Sequence, residues 1–259
     1  MTSIPEPVAE QPAQLPDAVN AAPPAHLLRV LEWRTGLEYL AAVSATRRIA
    51  DWPRGDGHPV LVLPGFLAGP GSTQLLRNVL RRLDYRVYDW GLGYNMGYRA
   101  SMTETLPARL HHIRERADGR RVSIIGWSAG GIYARELARA FPDDARSVIT
   151  LGSPFRGNHR ASTAWKVWQL VNRGADATEA VSEQALLRRS QPLSVPTTCI
   201  YSKTDGIVAW QCCTSLPAPE TENVEVHSSH LGYGHNVETL WVIADRLAQP
   251  EGSWRPFQR

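Results

Sequence analysis

The stretch Val122–Gly131, VSIIGWSAGG, constrains the fold of this chain more than any other segment. Its first residues have strand character, a Gly-Trp-Ser-Ala-Gly turn follows, and helical spacing begins directly after that turn. The glycines on either side of Ser128 lack a Cβ, so the turn can take strained backbone angles and expose the hydroxyl. The stretch therefore predicts a buried strand that turns sharply into a helix, with Ser128 at the turn.

Short apolar runs alternate with longer helical patterns from residue 53 onward. The predicted strands are Val60–Leu63, Arg86–Asp89, Val122–Ile125, Ser147–Leu151, Thr197–Tyr201 and Val224–His227. The predicted helices are Ser72–Leu83, Glu104–Ala117, Ala129–Phe141 and Val237–Leu247. The alternation indicates βαβ units, and hence an α/β fold with a mostly parallel sheet of about six strands and helices on both faces.

The segments outside this pattern suggest three parts. Residues 1–26 are rich in Pro and Ala, and we expect a disordered tail there. Residues 27–52 show helical spacing, and we expect an amphipathic helix packed on the core; the alternative is a helix lying on a lipid surface. We expect residues 53–259 to form the main domain. An insertion at about 155–195 interrupts it, and we expect this insertion to form a helical cap over the site. The helical candidates in it are Ala161–Val171 and Thr178–Arg189, with Trp165 and Trp168 as possible ligand contacts.

Composition limits the compartments and partners of this chain. The net charge is only +3, and the basic residues are scattered without a recognition motif, so we expect no nucleic-acid partner. No stretch of 18 apolar residues and no secretory signal is visible, so membrane contact would be peripheral at most. Cys199, Cys212 and Cys213 do not form a disulfide framework, and free thiols favour the cytoplasm. The oligomeric state is left open.

A serine hydroxyl needs a neighbouring base, and the base needs an orienting acid. Asp205 is the best acid, because it follows the predicted strand TTCIYS at a Gly-containing turn. His230 lies in a loop just beyond the last predicted strand, where a mobile base is expected. His235 and His227 are the alternatives to His230, because only the position in the sequence favours His230 over them.

Two loops are expected to shape the space around Ser128. The first, PGFLAGPG, follows a strand, and its Phe66 N–H together with the Ala129 N–H would form an oxyanion hole. The second, GLGYNMG, lacks dinucleotide-binding spacing and is expected to line the crevice. The predicted substrate contacts are Leu67, Trp127, Tyr94 and His235. No metal-ligand spacing is present, so we expect neither metal nor cofactor.

These motifs resemble the α/β-hydrolase superfamily, in particular compact bacterial serine esterases and lipases. The resemblance covers about Pro59 to Leu247 and rests on VLVLPGF, IIGWSAGGIYARELA, ITLGSPFRG, YSKTDGIV and SSHLGYGHN. It implies a Ser128, Asp205, His230 catalytic order and hydrolysis of a small-molecule or lipid ester through an acyl-serine. The Pro-Gly-Phe loop departs from the common His-Gly. An acyltransferase with the same acyl-enzyme and a non-catalytic binding protein are the alternatives.

Overall fold

A computed structural model describes residues 21–99, 101–157, 161–164, 170–171 and 183–259. Its centre is a single sheet of six parallel strands in the order β2-β1-β3-β4-β5-β6. The strands are β1 Pro59–Leu63, β2 Arg86–Asp89, β3 Val122–Trp127, β4 Ala145–Leu151, β5 Thr197–Tyr201 and β6 Thr221–Glu225. The predicted α/β class and the six-strand parallel sheet are therefore confirmed.

The helices were predicted less sharply at their ends than at their centres. The α-helices whose full extent lies in the described residues are α1 His26–Val30, α2 Thr35–Ala45, α3 Gln74–Arg82, α4 Met102–Glu115, α5 Ala129–Ala140, α6 Glu183–Ser190 and α7 Val237–Leu247. Short 3-10 turns extend several of them, such as Pro70–Thr73 before α3.

Strand β6 starts three residues earlier than the predicted Val224, because polar residues at a sheet edge escape a search for apolar runs.

Alternate residues of the central strands point to opposite faces of the sheet, as a period of two requires. Val60 and Val62 of β1 belong to the core that α3 and α7 cover, whereas Leu61 and Leu63 belong to the core under α4 and α5. Both cores consist of buried and mostly aliphatic side chains, which explains the near-continuous apolar runs of a sheet covered on both faces. The carboxyl ends of the strands are consequently left free to carry loops.

The N-terminal segment is not one continuous helix. Between α1 and α2 lies a 3-10 turn, Leu31–Arg34, and a second one, Thr46–Asp51, follows α2. Ala42, Ile49 and Trp52 are buried in the core beside α3 and α7, so this segment is docked on the domain. Within the described ranges, no helix combines the length and the apolar character needed to cross a lipid bilayer.

The proposed cap falls largely outside the described residues. Of residues 155–195, the structure leaves out 158–160, 165–169 and 172–182, which include Trp165 and Trp168. Helix α6, at Glu183–Ser190, coincides with the end of the second predicted cap helix. A cap over the site therefore stays a prediction, and so does a disordered tail, since residues 1–20 are not described either.

Candidate active site

Ser128 occupies the turn between β3 and α5 in a backbone conformation that residues other than glycine rarely adopt. Its φ of 53° and ψ of −121° place the strain on the serine itself, whereas neither flanking glycine has a positive φ. The glycines serve close packing instead, because a Cβ on Gly130 would lie only 2.5 Å from the Leu63 carbonyl oxygen. The turn is fixed by the Ser128 N–H, which donates to the Leu151 carbonyl at the end of β4.

The structure brings Ser128, His230 and Asp205 into one hydrogen-bonded line. His230 Nε2 lies 3.0 Å from Ser128 Oγ, and His230 Nδ1 lies 2.7 Å from Asp205 Oδ2. The three side chains come from loops beyond β3, β6 and β5, which all end at the same edge of a parallel sheet. The arrangement can deprotonate the serine hydroxyl and stabilise the charge that then appears on the imidazole.

Asp205 is held rigidly at the start of its loop. Its Oδ1 accepts hydrogen bonds from the N–H groups of Ile207 and Val208, each at 2.8 Å, which leaves Oδ2 for the imidazole. Asp205 is 3% exposed and His230 is 4% exposed. Because water hardly reaches this pair, the carboxylate acts on the imidazole with little screening.

The environment raises the pKa of His230 above its ordinary value. Burial by itself lowers that pKa, since it disfavours the imidazolium. The charge and hydrogen bond of Asp205 act in the opposite direction and prevail, with a further contribution from the carboxylate of Glu32. The site therefore favours the protonated imidazole that forms when a base accepts a proton.

Two backbone N–H groups near Ser128 come from different elements, one from the loop after β1 and one from the first residue of α5. Among the described residues, no acceptor is found for the N–H groups of Phe66 and Ala129, the two predicted oxyanion donors. Gly65 packs directly on the serine, since a Cβ on it would lie 3.4 Å from Ser128 Cβ. The neighbouring Leu67 has a φ of 60° and remains 45% exposed.

The buried side chain of Asn95 anchors this loop, a role that the sequence did not reveal. Its Nδ2–H donates to the Pro64 carbonyl at 2.9 Å, and its backbone carbonyl accepts the Leu67 N–H at 2.7 Å. Its backbone N–H donates to the Ala68 carbonyl at 2.9 Å. The GLGYNMG loop thus supports the loop of Phe66. A polar residue inside a glycine-rich stretch was the only available signal.

Trp127 and His235, two of the four predicted substrate contacts, hydrogen-bond to other residues of the protein. Trp127 is buried in the core, and its indole N–H donates to the His230 carbonyl at 3.0 Å, so it supports the histidine loop. His235 Nε2 lies 2.8 Å from Thr35 Oγ1, and its ring packs edge-on against Tyr39, which joins it to the N-terminal segment. Tyr94, in contrast, is 71% exposed.

The alternative histidines bond to other groups, and the cysteines are unsuitable as nucleophiles. His227 is exposed and pairs with Glu238 on the surface, and Asn236, rather than His235, caps α7. Cys199, Cys212 and Cys213 are buried thiols that form no disulfide, and burial raises the pKa of Cys212 to about 11. Such thiols are poor nucleophiles near neutral pH. No cluster of three or more histidine, cysteine or acidic side chains in the described ranges could hold a metal ion.

Two carboxylates of the N-terminal segment reach the loops that carry Asp205 and His230. Glu32 accepts N–H groups from both loops, and Glu38 accepts the N–H and the hydroxyl of Ser229. Sequence reasoning had assigned this segment to packing on the core or, as the alternative, to a lipid surface, and not to the loops of Asp205 and His230. A glutamate on a helical apolar pattern carries no local signal that would identify its distant partners.

Comparison with known proteins agrees with this architecture. A family model described as alpha/beta hydrolase fold matches residues 58–188, which are 131 of the 259 residues. No curated protein matches the chain significantly. Among solved structures, the Aspergillus fumigatus lipase B is similar with a TM-score of 0.56 and 17% identity over 79% of this chain. This chain spans only 56% of the length of that lipase.

Two bacterial or metagenomic structures match over nearly their whole length. The Bacillus licheniformis lipase BlEst2 has a TM-score of 0.56 and 16% identity, covering 76% of this chain and 94% of its own. A structure from work on the metagenome-derived lipolytic enzymes LipS and LipT has a TM-score of 0.54 and 18% identity, with 75% and 93% covered. At such low sequence identities, the structural similarity shows a common fold and nothing more specific. Since the family model matches more than half of the residues of this chain, the chain belongs to the alpha/beta hydrolase fold family.

Proposed function

We propose that this protein is a serine hydrolase that cleaves carboxylic esters through an acyl-serine intermediate. The observation that carries the proposal is the continuous line from Ser128 Oγ through the His230 imidazole to Asp205, with separations of 3.0 and 2.7 Å. The strained conformation of Ser128 supports it, because the surrounding structure would maintain such strain where a reactive hydroxyl is needed. The fold that the chain shares with lipases and esterases is consistent with this chemistry.

In the proposed mechanism, His230 Nε2 takes the proton of Ser128 as its oxygen attacks the ester carbonyl carbon. The carbonyl electrons move to oxygen, and the N–H groups of Phe66 and Ala129 stabilise this oxyanion. The bond to the alcohol then breaks, and the imidazolium returns its proton to the departing oxygen. A water molecule, deprotonated by His230, attacks the acyl-serine, and the acid leaves as Ser128 regains its proton.

The substrate is proposed to carry a medium or long apolar acyl chain. Leu67, Leu92, Tyr94 and Leu231 all remain exposed in loops at the carboxyl edge of the sheet. Three of them, Leu67, Tyr94 and Leu231, directly adjoin Phe66, Asn95 and His230 in the sequence. Apolar side chains beside a polar catalytic group favour an apolar substrate segment. We keep the cytoplasm as the proposed compartment, because none of the three cysteines forms a disulfide.

A fluorophosphonate probe tests the nucleophile directly, because it reacts covalently with activated serines. We expect the wild-type protein to be labelled and Ser128→Ala to remain unlabelled while keeping its thermal unfolding temperature. Ser253→Ala, which removes an exposed hydroxyl near the C-terminus, is the matched control and should label like the wild type. Labelling that survives Ser128→Ala would refute the assignment.

Product analysis identifies the reaction. With p-nitrophenyl esters of short, medium and long acyl chains, we expect turnover to increase from short to medium length. Added alcohol distinguishes hydrolysis from acyl transfer: a hydrolase releases mainly the free acid, whereas an acyltransferase forms mainly the new ester. A folded, probe-reactive protein that turns over none of these esters would reject the ester substrate class while retaining the serine nucleophile.

A further inference from the structure

The carboxylate of Glu32 lies buried between the two loops that carry Asp205 and His230. Its Oε1 accepts the N–H of Gly206 at 2.8 Å and the N–H of His230 at 2.9 Å. Its Oε2 accepts the N–H of Leu231 at 3.0 Å. A single side chain thus accepts hydrogen bonds from the peptide groups Asp205–Gly206, Ser229–His230 and His230–Leu231, although it comes from the opposite end of the sequence.

We infer that Glu32 is a positioning residue, which locks the loop of Asp205 to the loop of His230 so that the imidazole stays in line with Ser128. This inference rests on the proposed function, since it concerns the same three side chains. It assigns the N-terminal segment a part in the reaction that goes beyond its packing on the domain.

Energetics support a specific role for this group. Glu32 is only 7% exposed, and burial of a carboxylate is strongly unfavourable unless hydrogen-bond donors replace its hydration. Three backbone N–H groups supply that replacement, and hydrogen bonds to an ionised acceptor are about twice as strong as neutral ones. Since all three donors belong to the loops of Asp205 and His230, the compensation is available only when both loops are in place.

The neighbouring residues hold the same loops, but away from the reacting groups. Arg34 donates to the carbonyl and the hydroxyl of Thr204, at 2.8 and 2.9 Å. Glu38 accepts the N–H of Ser229 at 2.9 Å and the Ser229 hydroxyl at 2.7 Å. Of these three side chains, Glu32 alone bonds to the N–H of a triad residue and connects the two loops directly.

The charged and titratable groups around His230 are few. Asp205 bonds to its Nδ1, Glu32 accepts its N–H, and the Tyr233 ring packs edge-on against the imidazole. Glu38 bonds to Ser229, the residue before His230, and Arg34 bonds to Thr204, the residue before Asp205. Among these groups, the negative charges of Asp205 and Glu32 raise the pKa of His230, so Glu32 contributes electrostatically as well as geometrically.

Glu32→Gln tests the inference, because it keeps the shape but replaces the charged acceptor by an amide whose NH2 would face an N–H donor. We expect kcat to fall about 10-fold or more with a much smaller change in KM, since misplaced catalytic groups slow the chemical step. The acid limb of the kcat/KM pH profile should move to lower pH. Glu38→Gln removes an equal charge from the same segment, and we expect it to lower kcat less than about 3-fold.

Equal losses in Glu32→Gln and Glu38→Gln would overturn the inference, because they would indicate general loosening of the N-terminal segment. Wild-type kcat in a folded Glu32→Gln enzyme would also overturn it. If that variant does not fold, Glu32→Asp keeps the charge but shortens the reach by one methylene. We then expect a reduced kcat with an unmoved acid limb, and an unchanged kcat would contradict the positioning role.

A measurement without substrate separates this inference from the proposed function. The His230 imidazole can be titrated by NMR in Ser128→Ala protein, together with the low-field resonance of its Nδ1–H to Asp205. We expect Glu32→Gln to lower the titration midpoint and weaken that resonance, whereas Glu38→Gln changes both less. This result would hold even if no ester were hydrolysed. An unaltered titration and resonance in Glu32→Gln would refute the role of Glu32 alone.

Discussion

The indole N–H of Trp127 donates to the backbone carbonyl of His230 at 3.0 Å, across 103 residues of sequence. This bond ties the last residue of β3, directly before Ser128, to the loop that carries the imidazole. The serine and its proposed base are thus held by the same buried side chain. The separation of 3.0 Å between His230 Nε2 and Ser128 Oγ depends on this support as well as on the loop itself.

Trp127→Phe deletes the donor while keeping an aromatic ring in the core. We expect a loss of about 1–3 kcal/mol in the free energy of unfolding, because the His230 carbonyl loses its partner in a buried site. We also expect kcat for ester hydrolysis to fall about 10-fold, since the imidazole is less well fixed. Chemical denaturation and steady-state kinetics measure the two effects. Trp241→Phe, at a 40% exposed position, should change neither by much; equal effects in both variants would contradict the argument.

The pH profile of the wild-type enzyme should show a base with a raised pKa. Neutral His230 accepts the serine proton, so kcat/KM rises as the pH increases through the pKa of His230 in the free enzyme. Because the Asp205 carboxylate raises this pKa, we expect the midpoint to lie above 6.5, the ordinary value.

Asp205→Asn should reverse that shift, since it removes the negative charge beside the imidazole. We expect the midpoint to move to lower pH and kcat to fall about 10³- to 10⁴-fold, as the orienting acceptor is lost. Rate measurements across the pH range of folded protein test both effects. A variant with an unchanged midpoint would show that Asp205 does not control the His230 titration.

Asn95→Ala should impair the loop of Phe66 without touching the triad. The substitution removes the bond to the Pro64 carbonyl and the acceptor for the Gly97 N–H, both fully buried. We expect kcat to fall about 10- to 100-fold, because a mobile Phe66 N–H stabilises the oxyanion poorly. Asn78→Ala, an exposed position on α3, is the matched control and should retain activity. Full activity in folded Asn95→Ala would reject the role of the loop.

His58 should make the protein less stable as the pH falls. Burial lowers the pKa of His58 to about 4, with Arg146 acting in the same direction against Asp56. As the pH falls, His58 therefore binds a proton near pH 6.5 in the unfolded chain but only near pH 4 in the folded protein. Between these values, we expect His58 alone to reduce the free energy of unfolding by about 3 kcal/mol.

His58→Gln should flatten that pH dependence, because the titrating group is gone. Denaturant unfolding at several pH values between 7 and 4 measures the slope for each protein. The substitution also lowers stability at neutral pH, since the ring bonds to Asp56 and Ser123 at 2.5 and 2.9 Å. His112→Gln, at an exposed site, should leave the slope unaltered. A slope that persists in His58→Gln would assign the effect to other groups.

Parts of the candidate site could be read from local sequence patterns. The elbow at Ser128 and the turn at Asp205 follow buried strands, and in a parallel sheet all strand ends meet at one edge. Among the three histidines near the last strand, position in the sequence favoured His230 but did not exclude the other two. His227, His230 and His235 are all close to the same edge, and their directions depend on how the loop packs against Trp127, Glu32 and Thr35.

The sequence by itself determined the sheet, its helices and the order of the triad candidates, because hydrophobic period and turn chemistry act between residues that are near in the chain. Only the tertiary structure decided that Trp127 and His235 serve as supports, and that Glu32 lies against His230, 198 residues away. Such contacts depend on which surfaces meet when the N-terminal segment docks. That choice is made by the packing of the whole domain, and no local pattern encodes it.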